Sequence, residues 1–132
     1  MPVALNHTIV WCRDQEASAN FYSEILGRPA PTRFSVFHVV ALDNDVSLDF
    51  HAVDTEIVTG HYAFLIGEDD FDAILARVKA RGLTTWADPA RTQANQTYRH
   101  NGGRGFYFLD PDGHLLEVLT RPYTAGGAFA AG

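Results

Sequence analysis

The chain carries one short pattern twice, and any fold must accommodate both copies. The second copy is the clearer one: Gly60-His61-Tyr62-Ala63-Phe64-Leu65-Ile66-Gly67. It is apolar and aromatic, bounded by glycines, and reads as a buried strand with a histidine at its start. Glu68-Asp69-Asp70 then opens a helix. The first copy, Asn6-His7-Thr8-Ile9-Val10-Trp11, is likewise a strand led by a histidine, and Asp14 and a helix follow it.

Spacing extends the repeat. His7 to Gly27 is 20 positions and His61 to Gly82 is 21, and each glycine stands where a helix should stop. Asn44 to Asp49 and Asp112 to Glu117 are both 5 positions, each running from a tight turn to a strand carboxylate. Each half therefore reads strand-His, helix, Gly stop, strands, turn, strand-carboxylate. The predicted fold class is α+β: two tandem βαβββ modules whose mixed sheets curl into a cup, with the helices outside. The modules fall at about 1–53 and 60–121 of a single domain, with a flexible Gly- and Ala-rich tail over 122–132.

In order, a strand is expected over 3–11. A helix capped by Asp14 follows, with the stripe Ala17, Phe21, Ile25. Strands are expected over 34–42 and 46–52, the latter carrying Asp49 and His51. The second helix shows Phe71, Ile74, Leu75 and Val78 at i, i+3, i+4, i+7. A short strand over 83–86 and a loop over 87–96 come next. A hairpin pairs 97–100 with 105–109 around Asn101-Gly102-Gly103-Arg104. Asp110-Pro111-Asp112-Gly113 is a turn, and the last strand, 114–120, carries Glu117.

Two imidazoles and one or two carboxylates at matching places point to a metal. Imidazole and carboxylate suit a divalent first-row ion, and two histidines with one carboxylate is the arrangement of non-haem Fe(II) oxygenases. The same donors suit Mn, Ni, Zn or Co. Glu117 has its own reason to bind a cation. Among Leu115, Leu116, Val118 and Leu119, an unpaired carboxylate costs several kcal/mol in lost hydration. Taken singly, His7 or His61 reads as a hydrogen-bonded core histidine; the repeat makes His7, His61 and Glu117 a metal set. Asp49 divides between a solvent-facing position and the site. His38, His51, His100 and His114 lack matching partners and read as surface or turn residues.

Bulk properties narrow the partners. A net charge of −6 argues against nucleic acid or an anionic membrane. No apolar run approaches the roughly 20 residues of a membrane span, and the start lacks the features of a signal peptide. The single cysteine, Cys12, fits a reducing, cytoplasmic location and reads as a buried thiol.

Three blocks carry a family resemblance over about residues 3 to 121: Asn6-His7-Thr8-Ile9-Val10, Phe21-Tyr22-Ser23-Glu24-Ile25-Leu26-Gly27 and Asp110-Pro111-Asp112-Gly113-His114-Leu115-Leu116-Glu117. The chain resembles the vicinal oxygen chelate superfamily of glyoxalase I, extradiol dioxygenases, fosfomycin-modifying enzymes and bleomycin-binding proteins. Leu48-Asp49-Phe50-His51, His61-Tyr62-Ala63-Phe64-Leu65, Trp86-Ala87-Asp88-Pro89 and Gly102-Gly103-Arg104-Gly105-Phe106-Tyr107-Phe108 are similar to the small ring-cleaving oxidases grouped with the chartreusin-pathway enzyme.

The resemblance implies ligand roles for His7, His61 and Glu117. Asp49 lies where glyoxalase I places a fourth, glutamate ligand; one methylene shorter, it is a candidate base or water holder. Tyr107, ten positions before Glu117, lies where extradiol enzymes hydrogen-bond a substrate oxygen. The implied activity is cleavage of a C–C bond of a polycyclic aromatic substrate at Fe(II), with dioxygen or peroxide, in aromatic polyketide antibiotic biosynthesis. Trp11, Phe50, Trp86, Phe106 and Phe108 are candidate walls for a flat substrate. Relatives of this size imply a homodimer whose metal site lies at the interface, His7 and Asp49 from one chain and His61 and Glu117 from the other. The sequence leaves open a cup closed by one chain. The alternatives are a glyoxalase-type isomerase or thiol transferase, and a metal-free drug-binding resistance protein.

Overall fold

A computed structural model describes residues 2–123. The chain divides into two compact units, Met1–Val58 and Thr59–Gly132. The first contains β1 (His7–Cys12), α1 (Gln15–Leu26), β2 (Thr32–Phe34), β3 (Phe37–Ala41) and β4 (Ser47–Ala52). The second contains β5 (His61–Leu65), α2 (Phe71–Ala80), β6 (Tyr98–His100), β7 (Gly103–Leu109) and β8 (Leu115–Leu119), with one 3-10 turn, Glu68–Asp70, leading into α2. Both units are βαβββ, and their mixed sheets share one order: β1-β4-β3-β2 and β5-β8-β7-β6. In each, the first strand runs parallel to the last and the other pairs are antiparallel. No described helix is long and apolar enough to cross a membrane.

Helix α1 begins where its sequence dictates. The Asp14 carboxylate accepts the Ala17 N–H at 3.0 Å, satisfying one of the orphan amides of the first turn. Gly27 ends the helix at φ 68°, a left-handed position where a Cβ would be strained. The helix packs on the sheet face bearing Val10, Cys12, Val40, Leu48 and Phe50, all buried. Tyr22 meets Phe50 edge-on, 4.8 Å between ring centroids. Burying rings of this size contributes about 1.5–3 kcal/mol each. The buried helix face is Ser18, Phe21, Tyr22 and Ile25, not the expected Ala17, Phe21, Ile25; Ala17 is exposed. The helix is rotated because Tyr22 has far more apolar area to bury than Ala17.

The second unit repeats the plan. Phe71 of α2 meets Phe106 edge-on at 5.5 Å, over a face that also buries Phe64, Phe108, Leu116 and Val118. Three expected boundaries move. The strand expected over 34–42 is the hairpin β2–β3, because Ser35 takes φ 55° and turns the chain. The segment 83–86 supplies only isolated bridges, Trp86 to Ala94 and to Tyr107. The β6–β7 loop is two residues, not four: Asn101 and Gly102 both take positive φ (55° and 81°), the conformation of a type I′ hairpin turn. Of the tail expected to be flexible, residues 124–132 lie outside the described residues.

Candidate metal centre

Each sheet has a second face, turned away from its helix. Side chains alternate along a strand, so residues paired across strands share a face. In the second unit, Ala63 and Tyr107 both pair with Glu117, and His61 pairs with Leu115. His61, Glu117 and Tyr107 therefore stand together on the face away from α2. In the first unit, Ile9 pairs with Asp49 and His7 with Ser47. His7 and Asp49 thus occupy, in their own sheet, the register that His61 and Glu117 occupy in theirs. Each histidine lies two residues before the strand position that faces the carboxylate.

His61 and Glu117 are in direct contact, Nε2 to Oε1 at 3.1 Å. The imidazole is partly open to solvent and the carboxylate is fully buried. The other ring nitrogen fixes the tautomer. Nδ1 lies 2.9 Å from the Leu115 carbonyl oxygen, which can only accept, so Nδ1 carries the proton. Neutral His61 then turns the Nε2 lone pair on a carboxylate oxygen. Two acceptors facing each other need a cation between or beside them, either a second ring proton or a metal. The spacing is that of a hydrogen bond and suits a metal equally: donors bound at about 2.1 Å and at right angles stand about 3 Å apart. A backbone carbonyl on Nδ1 is also the usual support for a metal-binding histidine. His7 has similar support, its Nδ1 lying 2.7 Å from Asn6 Oδ1. The donor chemistry of this chain therefore fits a divalent cation. Among the described residues, no group of three or more His, Cys, Asp or Glu stands ready to hold one.

Phenols enclose the other carboxylate oxygen. Tyr98 and Tyr123 both donate to Glu117 Oε2, the Tyr123 bond at 2.9 Å. Tyr107 is buried, its ring 5.9 Å from that of His61 and 5.8 Å from that of Tyr98. Burial raises the Tyr98 phenol above its ordinary value, and its hydrogen bond to Glu117 raises it further. Burial likewise raises Tyr107, followed by a hydrogen bond to Tyr123 and the Glu117 charge. Tyr123 is raised by burial first as well. The phenols therefore remain protonated donors around Glu117.

Asp49 is buried and accepts the Ser47 hydroxyl at 2.8 Å. Of the candidate substrate walls, Trp11 lies on the open face of its sheet, 40% exposed, against His51. Phe50, Phe106 and Phe108 are fully buried on the helix-covered faces, so they are core. Trp86 is half-buried beside Tyr107, with the Arg91 guanidinium 6.0 Å from its ring. His114, expected at the surface or in a turn, is buried just before β8, where its Nδ1 accepts the Gly60 N–H at 2.9 Å. Sequence reasoning missed Tyr98, Tyr123 and Ser47. The Asn101-Gly102 turn was the available signal for Tyr98, because a two-residue loop sets Tyr98 opposite Gly105. A cavity of about 580 Å³ lies beside the start of α1 and is lined by none of these residues. Its lining mixes Arg13 and Arg33 with Asp14 and Glu16 and so favours neither sign of ligand.

The family profile described as Glyoxalase/Bleomycin resistance protein/Dioxygenase superfamily matches residues 4–118. Among solved structures, Oxidase ChaP-H1 is 51% identical, with a TM-score of 0.90 over 96% of this chain and 100% of that one. Oxidase ChaP-H2 is 49% identical, with a TM-score of 0.91 over the same shares. Glutathione transferase FosA of Serratia marcescens is 31% identical over 87% of this chain and 79% of its own length. The chain belongs to the Glyoxalase/Bleomycin resistance protein/Dioxygenase superfamily.

Proposed function

We propose that this chain is a metal-dependent oxidase that uses dioxygen or peroxide to break a C–C bond of a polycyclic aromatic substrate bearing adjacent oxygens. The carrying observation is the His61–Glu117 pair, an imidazole nitrogen set 3.1 Å from a fully buried carboxylate. The oxidase class rests on the similarity to the two ChaP oxidases, at 51% and 49% identity. His7, His61 and Glu117 would hold the cation, with Fe(II) the metal for this chemistry and Mn, Ni, Zn or Co also suited to the donors. When bound, it supplies a Lewis acid that lowers the pKa of chelated phenol or enol oxygens.

The remaining roles belong to the chain. Tyr107, held protonated, donates to a substrate oxygen. Asp49, oriented by Ser47, accepts a proton from the substrate or holds a water. Trp11 offers a ring face to a flat substrate. The chain works as a homodimer, with His7 and Asp49 of one protomer completing the site around His61 and Glu117 of the other.

Anaerobic reconstitution with Fe(II), followed by oxygen-uptake assays over polycyclic ortho-hydroxylated phenols, tests the reading. Metal-dependent uptake is expected, with none in the metal-free protein. A second reading, thiol transfer, is favoured by the 31% identity to Glutathione transferase FosA. Consumption of glutathione with an electrophile, without oxygen uptake, would establish that reading instead.

A further inference from the structure

The geometry points to Tyr98 and Tyr123 as positioning residues that occupy Oε2 of Glu117, so that this carboxylate meets a divalent cation through Oε1 alone. The inference rests on the reading of His61 and Glu117 as ligands. Glu117 is fully buried, so every lone pair on it must find a partner in the protein or on an ion. The two oxygens differ in their partners. Oε2 accepts from the Tyr98 and Tyr123 phenols, while Oε1 stands 3.1 Å from the His61 imidazole; Tyr107 also hydrogen-bonds the carboxylate.

The second strand partner shows that this division is built into the fold. Tyr98 reaches Glu117 from β6 by crossing β7, and it crosses at Gly105, its paired residue. A Cβ at Gly105 would run into the Tyr98 ring and come within 2.6 Å of the Val118 carbonyl oxygen. The missing side chain at Gly105 is the passage for the phenol. The Asn101-Gly102 turn fixes the register that aligns them.

Coordination arithmetic gives the consequence. Two histidines and one carboxylate oxygen take three of about six positions on an octahedral ion, leaving three. Two would serve a substrate with adjacent oxygens and one a co-reactant. A carboxylate bound through both oxygens would leave only two. The phenols thus reserve the third open position.

The test uses cobalt(II) as the probe, titrated into metal-free full-length protein, with affinity and ligand-field absorption as readouts. Tyr123→Phe, Tyr98→Phe and the double variant are compared with wild type and with Tyr62→Phe, a tyrosine on the opposite sheet face against His114. Cobalt is expected to bind about 10–100-fold more weakly to the double variant. Its absorption should shift towards that of a higher coordination number as the freed Oε2 joins. Tyr62→Phe should match wild type. Unchanged affinity and absorption in the folded double variant, or in Tyr123→Phe should Tyr98→Phe fail to fold, overturn the clamp. Failure of wild type to bind, or binding that survives Glu117→Ala, overturns the ligand reading instead.

Discussion

Glu117 meets an imidazole on one oxygen and two phenols on the other, and substitutions around it separate binding from turnover. His61→Ala and Glu117→Ala each remove one of two touching donors, so both should abolish tight metal binding and oxygen-dependent turnover, read by metal titration and oxygen uptake. Asp49→Leu should behave differently. Its carboxylate is engaged by Ser47 and lies on the other sheet, so metal should stay bound while turnover falls; unchanged turnover would remove Asp49 from the chemistry. The phenols make a pH prediction for the metal-free protein. Tyr98 and Tyr107 sit above their ordinary value of 10.0 because of burial and their bonded partners. The folded chain therefore keeps protons that the unfolded chain has already released. Their contribution to stability is complete below pH 10 and is lost as pH rises beyond it. Urea unfolding at about pH 8 and about pH 11 should show a smaller alkaline loss in Tyr98→Phe than in wild type.

At the scale of elements, the chain announces its ends better than its faces. Asp14 and Gly27 are legible because a cap and a left-handed stop are local devices, set by one side chain or its absence. Asp14→Ala should lower stability by about 1 kcal/mol, measured by denaturant unfolding, because the Ala17 amide loses its acceptor. Facing is decided by tertiary packing. Ala17 fits an apolar stripe, yet Tyr22 displaces it at the sheet, since a ring buries more area than a methyl. The same limit explains the aromatic residues. Phe50, Phe106 and Phe108 alternate with Asp49, His51, Gly105 and Tyr107, and period two alone does not say which face the helix covers. The candidate residues stand out in the sequence for a different reason. A duplicated unit keeps register, so His7 with Asp49 and His61 with Glu117 stand out as copies of one another. Tyr98 has no counterpart in that repeat, and its role depends on a loop two residues shorter than expected.

The whole molecule poses the question of how many chains make a site. Each unit offers one histidine and one carboxylate in equivalent register, half of the proposed ligand set. The open sheet faces also leave Trp11 and Leu65 40% and 61% exposed, apolar area that a second copy would cover. Sedimentation analysis should therefore give a dimer. Mixed dimers test whether the site is shared. His7→Ala and Glu117→Ala proteins are each inactive alone, then are mixed, unfolded and refolded together. If each site takes His7 from one protomer and His61 with Glu117 from the other, every mixed dimer carries one site with both lesions and one with neither. Random assortment makes half the dimers mixed, so about a quarter of wild-type activity and metal binding should return. If one chain closes its own site, each site keeps its lesion in every pairing and nothing returns.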